Sequence, residues 1–382
     1  MNVCCYFQVH QPFRLNKNYT VFDVGKHDAY FDEKLNKEVM AKVAKKCYLP
    51  TNKLLLKLIK RHGIRFAFSI TGVAIEQFPK EVLQSFQKLA DTGNVEFLSE
   101  TYHHSLAFLY DRQEFDHQVG LHKKTIKKHF RQTPKILRNT ELIYNNEVAS
   151  HAKRLGYKGV LAEGADHVLD WQSPNYVYQS PSGVPLLLKN YKLSDDVAFR
   201  FSDKSWKGHP LTVEKYGSWL SQAPGDVVNL FMDYETFGEH QWEDTGIFNF
   251  LESLPKELEQ KDIRFISPSE ALKQAPKATV DMPNFVSWAD VERDLSAWTG
   301  NKLQDSALEK LYKMKQTLSG KALEDWRKLT TSDHFYYMCT KWFNDGDVHK
   351  YFNPYDSPYE GYIAFMNALQ DLSQRQEEWI TV

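Results

Sequence analysis

With 382 residues the chain is too long for one average domain and long enough for a barrel of about 250 residues plus a smaller appendage. Lysine and arginine (48) nearly cancel aspartate and glutamate (49), and a net charge of −1 supplies no long-range field to recruit nucleic acid or an anionic membrane. The 4 cysteines, Cys4, Cys5, Cys47 and Cys339, have neither zinc-site spacing nor disulfide-scaffold density and read as reduced thiols, and no segment has secretory or membrane-spanning character, so the cytoplasm is the expected location.

From the N-terminus, short β-rich runs at 2–9, 64–70, 94–98, 136–140, 158–162, 186–191 and 227–233, with a weaker one at 264–266, alternate with amphipathic stretches. Helices are predicted at 51–62, 79–91 and 145–155, each followed by a glycine (Gly63, Gly93, Gly156) suited to a helix C-terminus. This recurring order of helix, glycine and strand predicts an α/β class with parallel strands closed into a barrel rather than a sandwich. At 275–283 two prolines and no periodicity mark a boundary, which divides the chain into a barrel domain (1–275) and a helical domain (276–382). The latter holds predicted helices at 305–316, 322–330, 334–343 and 359–376.

Catalytic groups of such barrels project from the C-terminal strand ends, the one rim both rigid and open. Four predicted ends are rich in acid and histidine: Gln8-Val-His-Gln-Pro12, Glu96-Phe-Leu-Ser-Glu-Thr-Tyr-His-His104, Arg138-Asn-Thr-Glu141 and Asp233-Tyr-Glu-Thr-Phe-Gly-Glu-His240. Cleaving a glycosidic bond requires two facing carboxyl groups, one ionised and one protonated, about 5–5.5 Å apart where the anomeric configuration is retained. Glu96, Glu100, Glu141, Asp233, Glu235 and Glu239 are the candidates, and Arg138 and Asn139 stand where they could keep Glu141 ionised. Each carboxylate taken alone could equally serve an ordinary salt bridge. The aromatic content of 14 %, with 9 Trp and 20 Tyr, could stack on sugar rings or fill a core. His10, His103, His104 and His240 could instead gather around a metal, as in a metal-dependent sugar hydrolase or deacetylase, although the usual HxH and HExxH spacings are missing.

These segments resemble glycoside hydrolase family 57, and within it the α-amylase-like group. Gln8–Pro12, Gly93–Tyr102, Arg138–Tyr144, Met232–His240 and Glu292–Trp298 are similar, in order, to the family's five motifs. The resemblance implies an incomplete (β/α)7 barrel followed by a C-terminal helical bundle that closes over the cleft, and a retaining double displacement on α-1,4-glucans without cofactor or metal. It places the nucleophile on Glu141 and the general acid/base on Asp233. It also places His10, Glu100, Asp294 and Trp298 at substrate subsites. An apolar flank from Phe231, Met232 and Phe237 would then raise the pKa of Asp233. Asp195, Asp196 and Arg200 lie in a further similar segment with no assigned role. Gln8 departs from the HxHQP form of other branches, glucanotransferases among them. The expected partner is an α-glucan or maltooligosaccharide, with oligomeric state left open. A 4-α-glucanotransferase or branching enzyme, or a non-catalytic glucan-binding protein, are the competing readings.

Overall fold

The structure is a computed structural model that describes residues 1–341 and 353–377. Its strands, in chain order, are β1 (Asn2–Val9), β2 (Phe66–Ile70), β3 (Val95–Phe97), β4 (Ile136–Arg138), β5 (Gly159–Glu163), β6 (Tyr178–Gln179), β7 (Pro185–Lys189), β8 (Val227–Asp233) and β9 (Arg264–Phe265). Two sheets are formed, in the orders β3-β2-β1-β8 and β4-β5-β7-β6; β6 runs antiparallel to β7, and β9 pairs in parallel with the start of β1.

Two thin seams bring the sheets together. Ser99 donates to the Ile136 carbonyl at 2.9 Å and accepts from the Arg138 N–H at 2.8 Å, which extends β3 onto β4. Between β7 and β8 the Asn190 N–H donates to the Asn229 carbonyl at 2.9 Å, and the Asn229 side chain donates to the Leu188 carbonyl at 2.9 Å. Among the described residues, seven parallel strands therefore surround one axis, the incomplete (β/α)7 barrel that the family resemblance implies, and helices follow it.

Strand alternation sorts the side chains. Val3, Cys5, Phe7 and Val9 of β1 join Phe66, Phe68 and Ile70 of β2 in the outer core beneath the helices. Cys4, Tyr6, Ala67, Leu98, Ile136, Leu161, Leu187 and Phe231 fill the barrel itself. Two residues further along, the inward position on every strand turns polar: Gln8, Ser69, Glu100, Arg138, Glu163, Lys189 and Asp233. An apolar plug thus carries a polar floor at the C-terminal rim. Glu96 sits at the opposite end, accepting the Ser269 N–H at 2.9 Å, and takes no part in that floor.

The third core cluster unites Leu15, Tyr19 and Tyr30 of the loop after β1 with Trp298, Leu311, Trp326 and Phe365 of the C-terminal helices. Asp371, fully buried, pins the two together by accepting from the Tyr19 hydroxyl at 2.7 Å, the Gly25 N–H at 2.6 Å and the Tyr30 hydroxyl. The helices found at Lys302–Met314, Gly320–Leu329 and Pro358–Glu377 match those predicted. The one expected at 334–343 is the short Ser332–Tyr336, and residues 342–343 lie outside the described residues. No helix among the described residues is long and apolar enough to cross a membrane.

Candidate active site

A cavity of about 820 Å³ opens over the polar floor, bordered by Glu141, Asp233, His10, His104, Trp288 and Trp298 among others. Glu141 and Asp233 reach it by different routes. Asp233 is the last residue of β8, in register with Gln8 on β1, and its inward parity alone aims it at the cavity. The sequence reading has Glu141 closing a strand over 136–140. In the structure β4 ends at Arg138, and Glu141 (φ 57°) and Leu142 (φ 53°) adopt left-handed backbone in a turn. Such conformations persist in non-glycine residues only where the surroundings over-determine them. Here three donors hold the carboxylate: His104 Nε2 at 3.2 Å and the Ser332 hydroxyl at 2.9 Å on Oε1, and Trp288 Nε1 at 2.7 Å on Oε2.

The electrostatics of the two carboxyl groups diverge. Burial pushes Glu141 upward, but the His104 hydrogen bond and the charges of His104 and Arg138 outweigh it, leaving the group below the ordinary carboxylate value. Asp233 takes no hydrogen bond among the described residues, and burial, then the charge of Glu141, raise it to about 6. Phe231 and Met232 border the cavity as expected of an apolar flank. Phe237 does not; it packs edge-on against Phe7 in the outer core, because it lies past the turn that follows β8.

His104 links the floor to the rim, donating from Nδ1 to Glu100 Oε2 at 2.9 Å and from Nε2 to Glu141. Burial disfavours its charge, yet the two carboxylates raise it to about 9, so it is an imidazolium at neutral pH. Glu100, held down to about 2 against its burial by His104 and Arg138, also accepts from Gln8 Nε2 at 3.0 Å and from the Ser69 hydroxyl. It does not border the cavity, which corrects its expected place at a substrate subsite: a fully buried carboxylate already saturated with donors supports the layer above it.

His10 does border the cavity, but both its ring nitrogens are taken, Nδ1 by Thr71 Oγ1 at 3.0 Å and Nε2 by Asp333 Oδ2 at 2.9 Å. Burial, then the neighbouring charge of His104, lower its pKa from the ordinary histidine value, and the two rings stack at 4.1 Å. With both nitrogens engaged, His10 presents a ring face and edge to the cavity.

Asp294 is a second correction. It is exposed and outside the cavity lining, and its carboxylate accepts the N–H of Ser296 at 2.8 Å together with the Ser296 hydroxyl. A short acidic side chain two residues before a donor satisfies itself locally. Trp298 does border the cavity; it is buried, with an indole N–H that has no partner among the described residues. Asn139 turns away from Glu141 to donate to the Ile143 carbonyl at 2.9 Å.

Of the remaining residues, Asp195 lies on the cavity wall with Lys189 Nζ at 3.2 Å, while Asp196 holds Arg200 Nε at 2.7 Å. The carboxylates and histidines do not converge on a metal: among the described residues no three His, Cys, Asp or Glu side chains form a ligand-like group.

Glu235, next to Asp233, is the buried acid that the sequence leaves unranked. Burial, then the charge of Asp233, raise it to about 8, although Tyr48 and Gln11 both donate to its Oε1. A raised carboxyl pKa stabilises the fold at low pH, and the contribution is lost as pH rises through about 8. Glu235→Gln, whose amide oxygen accepts the same two donors, is therefore expected to melt no lower than the parent at pH 7 and higher at pH 9. Thermal melts at both pH values check this, and a lower melt at both would mean that the charged form is the one the fold holds.

The residues that sequence reasoning missed, Trp288, Ser332 and Asp333, come from the segment after the barrel. Trp288 is delivered by a backbone pairing in which Tyr144 and Val286 exchange N–H···O bonds at 2.9 and 2.8 Å and the Trp288 N–H meets the Glu141 carbonyl at 3.1 Å.

Known proteins share this architecture. The family model described as Glycosyl hydrolase family 57 matches residues 4–283. A protein of Methanocaldococcus jannaschii named "Putative alpha-amylase" is 45% identical over 385 residues, covering 96% of this chain and 82% of that protein. Among solved structures, a GH57 branching enzyme from Thermococcus kodakaraensis has a TM-score of 0.70 at 13% identity, over 100% of this chain and 91% of its own. An alpha-amylase from Thermotoga maritima has a TM-score of 0.63 at 13% identity, over 98% of this chain and 93% of its own. At such identities the structural likeness speaks for the fold alone. The family match spans well over half of the chain and the 45% identical relative nearly all of it, and on both grounds the chain is a glycoside hydrolase that belongs to glycosyl hydrolase family 57.

Proposed function

We propose that the protein is a retaining α-glucan hydrolase of the α-amylase type, with Glu141 as nucleophile and Asp233 as general acid/base. One observation carries the reading: at the rim of one cavity, three donors, one of them the His104 imidazolium, favour the ionised form of Glu141, while burial and that same anion favour the protonated form of Asp233. Glu141 attacks the anomeric carbon as Asp233 gives its proton to the departing glycosidic oxygen. Asp233, now a base, takes a proton from water, which releases the sugar from Glu141 with net retention.

The relative named as an alpha-amylase supports the substrate class, starch, glycogen or maltodextrins. The buried Trp298, its indole N–H without a partner among the described residues, is suited to a sugar hydroxyl, and the ring pair His10 and His104 to its apolar face. The reading also takes the chain as a barrel (1–275) and a helical domain (276–382) that completes the cleft. Ser332 and Asp333, which bond Glu141 and His10, support that division of labour.

Transfer of the glycosyl unit to another glucan is the competing outcome at the same intermediate. Incubation with maltoheptaose separates them: reducing ends are expected to rise steadily, with the α-anomer appearing first by NMR. Constant reducing ends with longer chains appearing would make the protein a glucanotransferase or branching enzyme, and binding without any product would make it a glucan-binding protein.

A further inference from the structure

A tryptophan in a glycosidase cleft is ordinarily read as a face on which a sugar stacks. Trp288 is placed differently. Its ring lies under two cations, with the Arg138 guanidinium 4.7 Å and Lys189 Nζ 5.3 Å from the ring centre, and its indole N–H is spent on Glu141 Oε2 at 2.7 Å. Those cations are themselves buried and anchored in the barrel, Arg138 at the end of β4 beside Glu100 at 4.0 Å and Lys189 at the end of β7 beside Asp195 at 3.2 Å. Among the described residues none of the three Arg138 side-chain nitrogens has a hydrogen-bond partner, so its charge faces the indole ring and the carboxylates without being consumed by one ion pair. Such cation–ring contacts gain strength when desolvated.

The backbone adds a second constraint. Trp288 N–H bonds the Glu141 carbonyl at 3.1 Å, so one residue grips both the main chain and the side chain of the other. Glu141 sits in left-handed backbone in a turn past the end of β4, where strand pairing does not fix its direction. Among the described residues, Oε1 is met by two donors from the floor and the helical segment, and Oε2 by Trp288 alone.

We propose that Trp288 is a positioning residue for Glu141: clamped by Arg138 and Lys189, its indole N–H fixes the rotation of the carboxylate, and its ring is not a sugar-stacking platform. The proposal rests on Glu141 being the nucleophile. It assigns the segment joining barrel to helices a direct part in the chemistry, since a carboxylate free to turn about its last bond presents its attacking lone pair only part of the time.

Trp288→Phe keeps an aromatic ring and deletes the donor. Because donors favour the ionised carboxylate, their loss raises the pKa of Glu141, and activity that needs the ionised form is then lost at a higher pH. Turnover is expected to fall about 10- to 100-fold, with KM within about threefold of the parent and the acid limb of kcat/KM moved upward by about 1 in pH. Trp288→Gln, which restores an N–H without the ring, is expected to recover part of the acid limb. A KM raised tenfold or more with the acid limb unmoved would make Trp288 a stacking residue. A lowered melting temperature with unaltered kinetics per folded molecule would make it scaffold; either overturns the proposal.

Should the variants fail to fold, the unmutated enzyme supplies the same test. One indole ¹H–¹⁵N resonance is expected to titrate with the acid limb of activity, and the absence of any such resonance overturns the proposal. Trapping the intermediate with 5-fluoro-α-glucosyl fluoride and mapping the labelled peptide distinguishes the premise. Label on Glu141 with an unmoved acid limb in Trp288→Phe removes the positioning role only, whereas label on another carboxylate removes the nucleophile and the positioning role together.

Discussion

Glu141→Gln is expected to lower turnover by about 10⁴-fold or more, the scale seen when a covalent nucleophile is removed, while maltooligosaccharide binding stays within about tenfold of the parent. The amide has the shape of the carboxylate and cannot form the glycosyl ester. Its surroundings sharpen the result. Glu141 lies in a nest of donors from His104, Ser332 and Trp288, so an amide must turn its NH2 toward at least one of them. Leaving buried donors unmatched costs about 1–3 kcal/mol each, so the variant should also melt lower than the parent. Single-turnover assays with isothermal titration on the same preparation check both halves. Turnover retained within tenfold would remove Glu141 from the nucleophile's role, and lost binding would show that the substitution had disrupted the cleft.

For Asp233→Asn the expected loss is about 10²- to 10⁴-fold in turnover on glucans, the usual worth of a positioned general acid. It should be much smaller for the first step on α-maltosyl fluoride, whose leaving group needs little protonation. The pH dependence follows from the signs of the two groups. Glycosylation needs Glu141 ionised, and its pKa is lowered, so activity is lost on the acid side only below the ordinary carboxylate range. It also needs Asp233 protonated, so kcat/KM falls as pH rises through about 6. The bell between them belongs to the coupled pair, and Asp233→Asn should abolish its alkaline limb.

The substitution has the opposite effect on stability. A carboxyl whose pKa is raised on folding stabilises the protein below its ordinary value of 3.8, a contribution lost as pH climbs to about 6. The gap corresponds to about 3 kcal/mol at most, discounted because the side chain meets the cavity. Asp233→Asn is therefore expected to melt higher than the parent at pH 7.5 and equally at pH 4. Paired thermal melts and rate profiles decide it, and an unchanged alkaline limb would place the acid elsewhere.

Much of the frame was legible from local signals. Strands expected at 2–9 and 227–233 are found at Asn2–Val9 and Val227–Asp233, because apolar β-branched and aromatic runs bounded by turns have few other places to go. Helices closing on Gly63 and Gly156 are found where expected, and the first ends with Gly63 at φ 65°, a conformation that glycine adopts freely. The change from Tyr6 to Gln8, Ala67 to Ser69, Leu98 to Glu100 and Phe231 to Asp233, each two residues apart, is written in the sequence as well. It marks the level at which the barrel interior stops being oil and becomes a site.

The sequence by itself therefore determined which residues could be chemical: the alternating strands and helices, a rim rich in acid and histidine, and six carboxylates from which the family resemblance singles out Glu141 and Asp233. Only the tertiary structure decided which partners they meet. Glu100 and Asp294 look alike in sequence as candidate ligands of a sugar, yet one is saturated with donors inside the buried floor and the other bonds Ser296 at the surface. Trp288, 147 residues from Glu141, and Ser332, 191 residues away, carry no local signal that they will meet its carboxylate. Opposite protonation of two acids is likewise no property of either residue type. It arises because a fold can surround one carboxyl with donors and strip the other of water, and the energy of a charge depends on that surrounding far more than on its neighbours in the chain.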